Sequence, residues 1–346
     1  MFKETLVSDS KKTAVKELEL ANENGAVLRV LNYGARITRW CPAGSPEKSV
    51  VLGYKDVNDY LKDDHFLGAV VGRTAGRVPF GEMKLGDTLY DLNQNEDEHQ
   101  LHGGAGGFSQ VMWEYAYKET PQSLELHLTY FSRDGEMGYP GSLSVCVTYA
   151  LDKHSDAFTF SVRAVSEKDT WCSLANHAYF NIGEGENSHI LDYDLKAPAA
   201  SVLELDDALI PTGELIDVSG TLFDITQAKP LRDMIGSSDE QIIFASQGVD
   251  HFFILDPAEV KKIELTDPGS GRRLKIETTE PGAVIYTSQK LESSSPLRDG
   301  EASPYRGICI ETQRLPDAFA PKGRGCLLKA GDIYTADTVY TLEKLS

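Results

Sequence analysis

The chain has 346 residues, 34 of them Lys or Arg and 53 Asp or Glu, for a formal net charge of -19, and so acidic a surface repels nucleic-acid phosphates and anionic lipid head groups alike. Its five cysteines, Cys41, Cys146, Cys172, Cys309 and Cys326, are odd in number, scattered and never spaced C-x-x-C, which points to reduced thiols and against a disulfide framework or a zinc site. No apolar run is long enough to span a bilayer and the opening MFKETLVSDSKKT lacks the apolar segment of a signal peptide, so the expectation is a soluble cytoplasmic protein with no nucleic-acid or membrane partner.

In chain order, Val27 to Val30 reads as a short strand and VNDYLK, near Asp56 to Lys62, as one of few helical pieces. Leu124, Leu126, Leu128 and Tyr130 then alternate with Glu125, His127 and Thr129, the period of two that a half-buried strand requires. Leu143, Val145, Val147 and Tyr149 repeat the pattern, as do Phe158, Phe160, Val162 and Ala164. The turn-prone DGEMGYPG and LDKHSDA separate the three runs, so an antiparallel meander is expected. Further strands are expected at Arg273 to Thr278, Val284 to Thr287 and Ile333 to Leu342. The polar loop Ser293 to Gly307 reads as an insertion at a rim. No repeat or linker divides the chain. The expectation is an all-β protein with residues 1–346 forming one domain, a size that large β-sandwiches reach with a single core.

Five segments carry candidate chemistry. LHGGAGGF, Leu101 to Phe108, has neither the Gly-Lys-Ser/Thr ending of a phosphate loop nor the βαβ context of a dinucleotide fingerprint. It is either a tight structural turn or a device that holds His102 at the mouth of a cleft. GRTAGR, Gly72 to Arg77, offers two arginines, either as surface cations or as donors to a polar ligand. NHAYFNIG, Asn176 to Gly183, puts His177 and Tyr179 on one face if extended, with Phe180 on the other. In VDHFFIL, Asp250 and His251 point to opposite sides, so at most one faces a given pocket. In GICIETQRLPDAFAP, Glu311 interrupts an apolar run and belongs either at an edge or in a functional site, because a carboxylate buried without partners is costly. Together these side chains suit a neutral polyol. No H-x-H or H-E-x-x-H spacing marks a metal site, and no G-x-S-x-G marks a serine hydrolase.

Taken in order, GRTAGRV, NQNEDEHQLHGGAGGF with Trp113, the turn at Asp134 to Gly141, NHAYFNIG, IPTGE, GTLFDIT, VDHFFIL and ETQRLPDA resemble the aldose 1-epimerases, or galactose mutarotases, through most of the chain. The resemblance implies a large, twisted antiparallel β-sandwich with its reactive groups in a cleft on one face, no metal and no organic cofactor. It implies that His177 is the general acid and Glu311 the general base, that Arg77, His102 and Asp250 bind sugar hydroxyls, and that Tyr179 lines the site. The expected partner is a small-molecule sugar, and the expected assembly a monomer or a weak homodimer. Gly76 stands where many relatives carry Asn, and Val284 where many carry Gln, which bears on sugar identity more than on reaction type.

Interconverting anomers takes one base at the C1 hydroxyl and one acid at the ring oxygen. With reference pKa values of about 4.3 for Glu and about 6.5 for His, the two start near the required states, and little tuning is expected. The expected geometry sets them across a gap one sugar ring wide. Three other readings stand beside this one: a glycoside hydrolase using Asp250 and Glu311, a sugar-binding protein that has lost its chemistry, and a mutarotase of sugar phosphates aided by Arg73 or Arg314.

Overall fold

The computed structural model describes residues 1–10, 13–45, 47–185, 188–315 and 325–345. The three alternating runs form the strands Ser123–Ser132, Leu143–Asp152 and Phe158–Ser166, paired antiparallel with Leu126 opposite Tyr149 and Tyr149 opposite Phe160. This meander belongs to a nine-stranded antiparallel sheet. Glu114–Glu119 lies outside it on one side, and Ile333–Lys344, Arg272–Thr278, Lys262–Asp267, Asp194–Lys196 and Lys229–Pro230 follow in order on the other. The last strand of the chain is thus the middle strand of the sheet.

A second sheet of six strands runs Tyr179–Phe180, Ile308–Gln313, Gly282–Tyr286, Asp250–Leu255, Ala199–Leu205 and Pro211–Asp217, again antiparallel throughout. Its inner face supplies Ile308, Ile310, Ala283, Ile285, Phe253 and Val202 to a core that also takes Leu126, Val147, Phe160, Leu274 and Ile276 from the larger sheet. Phe180 meets Tyr340 with ring centroids 5.5 Å apart, and the Thr312 and Thr338 hydroxyls lie 2.8 Å apart, so the two sheets face each other as a sandwich. Strand alternation does this sorting: one set of side chains enters the core and the intervening set is left for the opposite face.

A third, four-stranded sheet, Phe2–Ser10, Thr13–Ala21, Val27–Leu31 and Ile37–Cys41, covers one side of the core. Trp40 at its far strand packs edge-on against Phe158 at 4.8 Å. The helical piece VNDYLK is a 3-10 helix capped by the Asp56 carboxylate, which accepts from the Asn58 N–H. The polar loop from Ser293 to Gly307 is not a loose insertion. Leu297 is buried and bridges to Tyr54, and Arg306, 1 % exposed, donates to the carbonyls of Ser188 and Asp299.

Candidate active site

A cavity of about 320 Å³ opens on the outer face of the six-stranded sheet. Its floor is made of the side chains that alternation turns away from the core: Glu311 and Gln313 from one strand, Val284 and Tyr286 from the next, Asp250 and Phe252 from the third. Arg77, His102, His177, Tyr179, Asp250 and Glu311 all line this one cleft, although they come from five separate stretches of sequence. His251 points the other way into the core, fully buried beside Phe223, as the strand geometry demanded. Tyr179 and Phe180 divide likewise, the first to the cleft and the second to the core. The PDAFAP end of the Glu311 segment, residues 316–321, lies outside the described residues.

The glycine-rich loop serves His102 indirectly. His102 itself adopts a left-handed φ of +52°, followed by Gly103 at +88°. Any side chain at Gly103 would place its Cβ 1.9 Å from the carbonyl oxygen of Gly72, so the two backbone segments touch where only glycine fits. The glycines do not line the cleft beneath a ligand; they dock the loop on the Gly72 segment. That docking fixes the histidine. The His102 N–H donates to the Gly76 carbonyl, the Gly76 N–H donates to His102 Nδ1 at 3.2 Å, and Phe66 packs edge-on against the ring. With Nδ1 accepting, the proton of the neutral ring resides on Nε2. Burial holds the imidazole pKa well below its ordinary value, helped by the Arg77 charge and by the repulsion a proton on neighbouring His177 would add, so the ring presents a neutral donor.

His177 Nε2 and Glu311 Oε1 lie 3.4 Å apart at the cleft floor, both nearly inaccessible. They stand side by side rather than across a gap one ring wide. Glu311 Oε2 is buried without a hydrogen-bond partner, and His177 Nδ1 faces the Cys309 thiol at 3.5 Å. Burial pushes Glu311 well above the usual carboxylate range; the charge of Asp250 adds to this and Arg77 opposes it. Burial pushes His177 down to about 4. Both groups are held toward their neutral forms, contrary to the expectation from values in water, because burial disfavours each charge separately. The protonated Glu311 beside neutral His177 and the carboxylate beside imidazolium contain the same number of protons. One transfer across the 3.4 Å contact converts the first into the second.

Arg77 is gripped by Glu96, which accepts from Nε at 2.6 Å and Nη2 at 2.9 Å, while Nη1 lies 3.7 Å from Asp250. Burial works against the guanidinium charge, but Asp250 and Glu96 more than offset it. Asp250 is itself raised by burial, with Arg77 opposing. Glu96 sits in the NQNEDEHQ stretch, yet nothing in its immediate sequence sets it apart from Asp97 and Glu98. Tyr286 and Phe66 are further cleft residues outside the candidate segments, and Gln313, although it lies within ETQRLPDA, had been given no role. Arg73, by contrast, is neither a surface cation nor a ligand donor. It is 2 % exposed and is used up within the fold, donating to Ser132, Pro140, Gly141, Thr170 and Arg133. Arg314 stacks over Tyr334 with its carbon 4.6 Å from the ring centre and lies outside the cleft lining, so neither arginine is placed to meet a sugar phosphate there.

His102, His177 and Glu311 each bring one potential ligand atom within 4.8 Å of the others, a two-histidine, one-carboxylate set that sequence spacing did not reveal. The hydrogen bonding does not suit a metal. A ligating histidine donates its second N–H outward, whereas His102 Nδ1 accepts from Gly76 and so turns its proton toward the cleft. Such a donor suits a hydroxyl oxygen.

A family model described as aldose 1-epimerase matches residues 16–341. The chain belongs to the aldose 1-epimerase family. Galactose mutarotase from Mus musculus is 35% identical over 332 residues, covering 94% of this chain and 93% of its own, and aldose 1-epimerase from Haemophilus influenzae is 34% identical, covering 87% and 86%. The crystal structure of galactose 1-epimerase from Lactobacillus acidophilus superposes with a TM-score of 0.88 at 28% identity, covering 100% of this chain and 99% of that one. The aldose 1-epimerase fold is the β-sandwich described above, and the chain is an isomerase that interconverts sugar anomers. A glycosidase or an inert binding protein is not favoured.

Proposed function

We propose that the cleft opens and recloses the ring of a free aldohexose of the galactose or glucose type, with Glu311 as base and His177 as acid. The observation that carries this reading is the 3.4 Å contact between His177 Nε2 and Glu311 Oε1 on the cleft floor. The two oxygens that exchange protons, the C1 hydroxyl and the ring oxygen, are bonded to the same carbon, so the groups serving them belong beside one another. Glu311 takes the hydroxyl proton, the C1–O bond to the ring breaks with its electron pair moving to the ring oxygen, and His177 Nε2 protonates that oxygen. Rotation about C1–C2 turns the other aldehyde face, and closure runs with the roles exchanged. Arg77, His102 and Asp250 hold the remaining hydroxyls, and Tyr179 buttresses the His177 ring at 5.1 Å. Polarimetry of freshly dissolved α-galactose and α-glucose tests the reading. Loss of optical rotation should speed up in proportion to protein concentration, and an unchanged rate would end it.

The pair holds one proton between the pH at which His177 charges, near about 4, and the raised pH at which Glu311 loses its own. Below this window no base is free, and above it no proton is left to give. The rate should therefore fall on both sides, with the acid limb near pH 4. A rate climbing steadily with pH, as hydroxide catalysis would produce, is incompatible with the pair.

His102→Asn, which tolerates the left-handed backbone, removes the ring donor. KM should rise about fivefold with kcat little changed, in line with one lost hydrogen bond of about 1 kcal/mol. Equal KM values for variant and parent would take His102 out of sugar binding. The same reading has the enzyme working in the cytoplasm as a monomer or weak homodimer; the free thiols of Cys41, Cys146, Cys172 and Cys309, three of them buried, accord with a reducing compartment. Among the described residues no helix is long and apolar enough to cross a membrane.

A further inference from the structure

Gln313 is the last cleft-facing side chain of the strand Ile308–Gln313, two positions beyond Glu311 on the same face. It is 2 % exposed, and its Oε1 is buried without a hydrogen-bond partner. Among the cleft-lining residues only Glu311 and Gln313 carry such an atom. A buried acceptor left unpaired is destabilising, and the protein around Gln313 supplies no remedy. Gly76 has no side chain: a Cβ there would stand 3.6 Å from Gln313 Nε2 and meet nothing else within 4 Å. The other neighbours along the wall, Val284, Phe252 and Leu315, are apolar.

We propose that Gln313 determines specificity by binding, through its carboxamide, a hydroxyl on the far side of the sugar from C1. This rests on the reading that C1 sits at Glu311. Two residues along a strand cover about 6.8 Å, close to the span of a pyranose from its C1 hydroxyl to the substituents at C3 and C4. The carboxamide accepts and donates, as a hydroxyl does, and it lies where Gly76 and Val284 contribute nothing polar. C4 is the carbon at which galactose and glucose differ, so Gln313 is placed to weigh one against the other.

The test is Gln313→Met, which keeps the length and unbranched shape while removing the amide. KM for galactose or glucose should rise 5- to 20-fold with kcat within about twofold, and the melting temperature of the sugar-free protein should hold or rise, because an unpaired buried acceptor is gone. With 3-deoxy and 4-deoxy sugars, at least one should show the same KM on parent and variant. The proposal is overturned by an unchanged KM, by a fall in melting temperature accompanied by loss of kcat, or by both deoxy sugars losing as much as the parent sugars do. A parent protein that does not accelerate mutarotation sinks the underlying reading instead, and the two failures are read separately.

Discussion

Replacing Glu311 with Gln should lower kcat for mutarotation by about 10² to 10⁴ while leaving KM within a few-fold of the parent, the signature of a lost proton acceptor in the transition state. Gln has almost the same shape and cannot take the C1 proton at any pH. Because Glu311 is 2 % exposed and burial already holds its carboxyl toward the neutral form, a neutral amide of the same shape adds no buried charge, so the melting temperature should hold. A rate within fivefold of the parent would move the base elsewhere. The paired measurement matters: a rate lost together with the fold would say nothing about protons.

The largest loss of stability is expected at a site the sequence did not advertise. Arg36 and Asp63 form an ion pair with both side chains fully buried. Asp63 also accepts from Tyr54 Oη at 2.8 Å, from the Leu67 N–H at 2.9 Å and from the His65 N–H at 3.1 Å, and Arg36 donates to the carbonyls of Ser109 and Leu67. Asp63→Ala strands a guanidinium in the interior and should lower the unfolding free energy by about 3–5 kcal/mol, read as an earlier urea midpoint. Replacing both partners with apolar residues, Arg36→Met with Asp63→Leu, should recover most of that loss, since the penalty lies in the uncompensated charge. Recovery of stability need not restore activity. The carboxylate organises the chain at His65 and Phe66, and Phe66 touches both His102 and His177, with ring centroids at 4.7 and 5.9 Å. A single variant as stable as the parent would show that the pair is incidental.

Much of this architecture could be read from alternation. The runs at Leu124, Leu143 and Phe158 announce an amphipathic meander because every second residue is apolar, and they pair as expected. The six-stranded sheet was harder. Its strands carry the cleft on one face and the core on the other, so ICIETQ reads as an apolar run broken by a carboxylate rather than as a clean period of two. The same interruption is what marked Glu311. The individual candidates were visible as motifs, but their meeting was not, since pairings such as Tyr179 with Cys309 join residues far apart in the chain. The Arg36–Asp63 pair left no signal because its importance comes from burial, while Glu96 and Gln313 lie inside motifs yet could not be told there from neighbouring residues of the same type, Glu96 mattering through its grip on Arg77 and Gln313 through burial. Protonation was misjudged for the same reason: reference values in water say nothing about the desolvation that drives Glu311 up and His177 down.

Ile310 sits in the core and Glu311 in the cleft, one position apart on a single strand. A one-residue slip of the strand Ile308–Gln313 against its neighbours would exchange the two faces, sending the carboxylate among the aliphatic side chains and an isoleucine toward the sugar. Such a segment can drift in spelling but not in length. Changes of length are therefore better tolerated in the connections at the rim, and point changes on the cleft floor are the least disruptive way to alter which sugar is held.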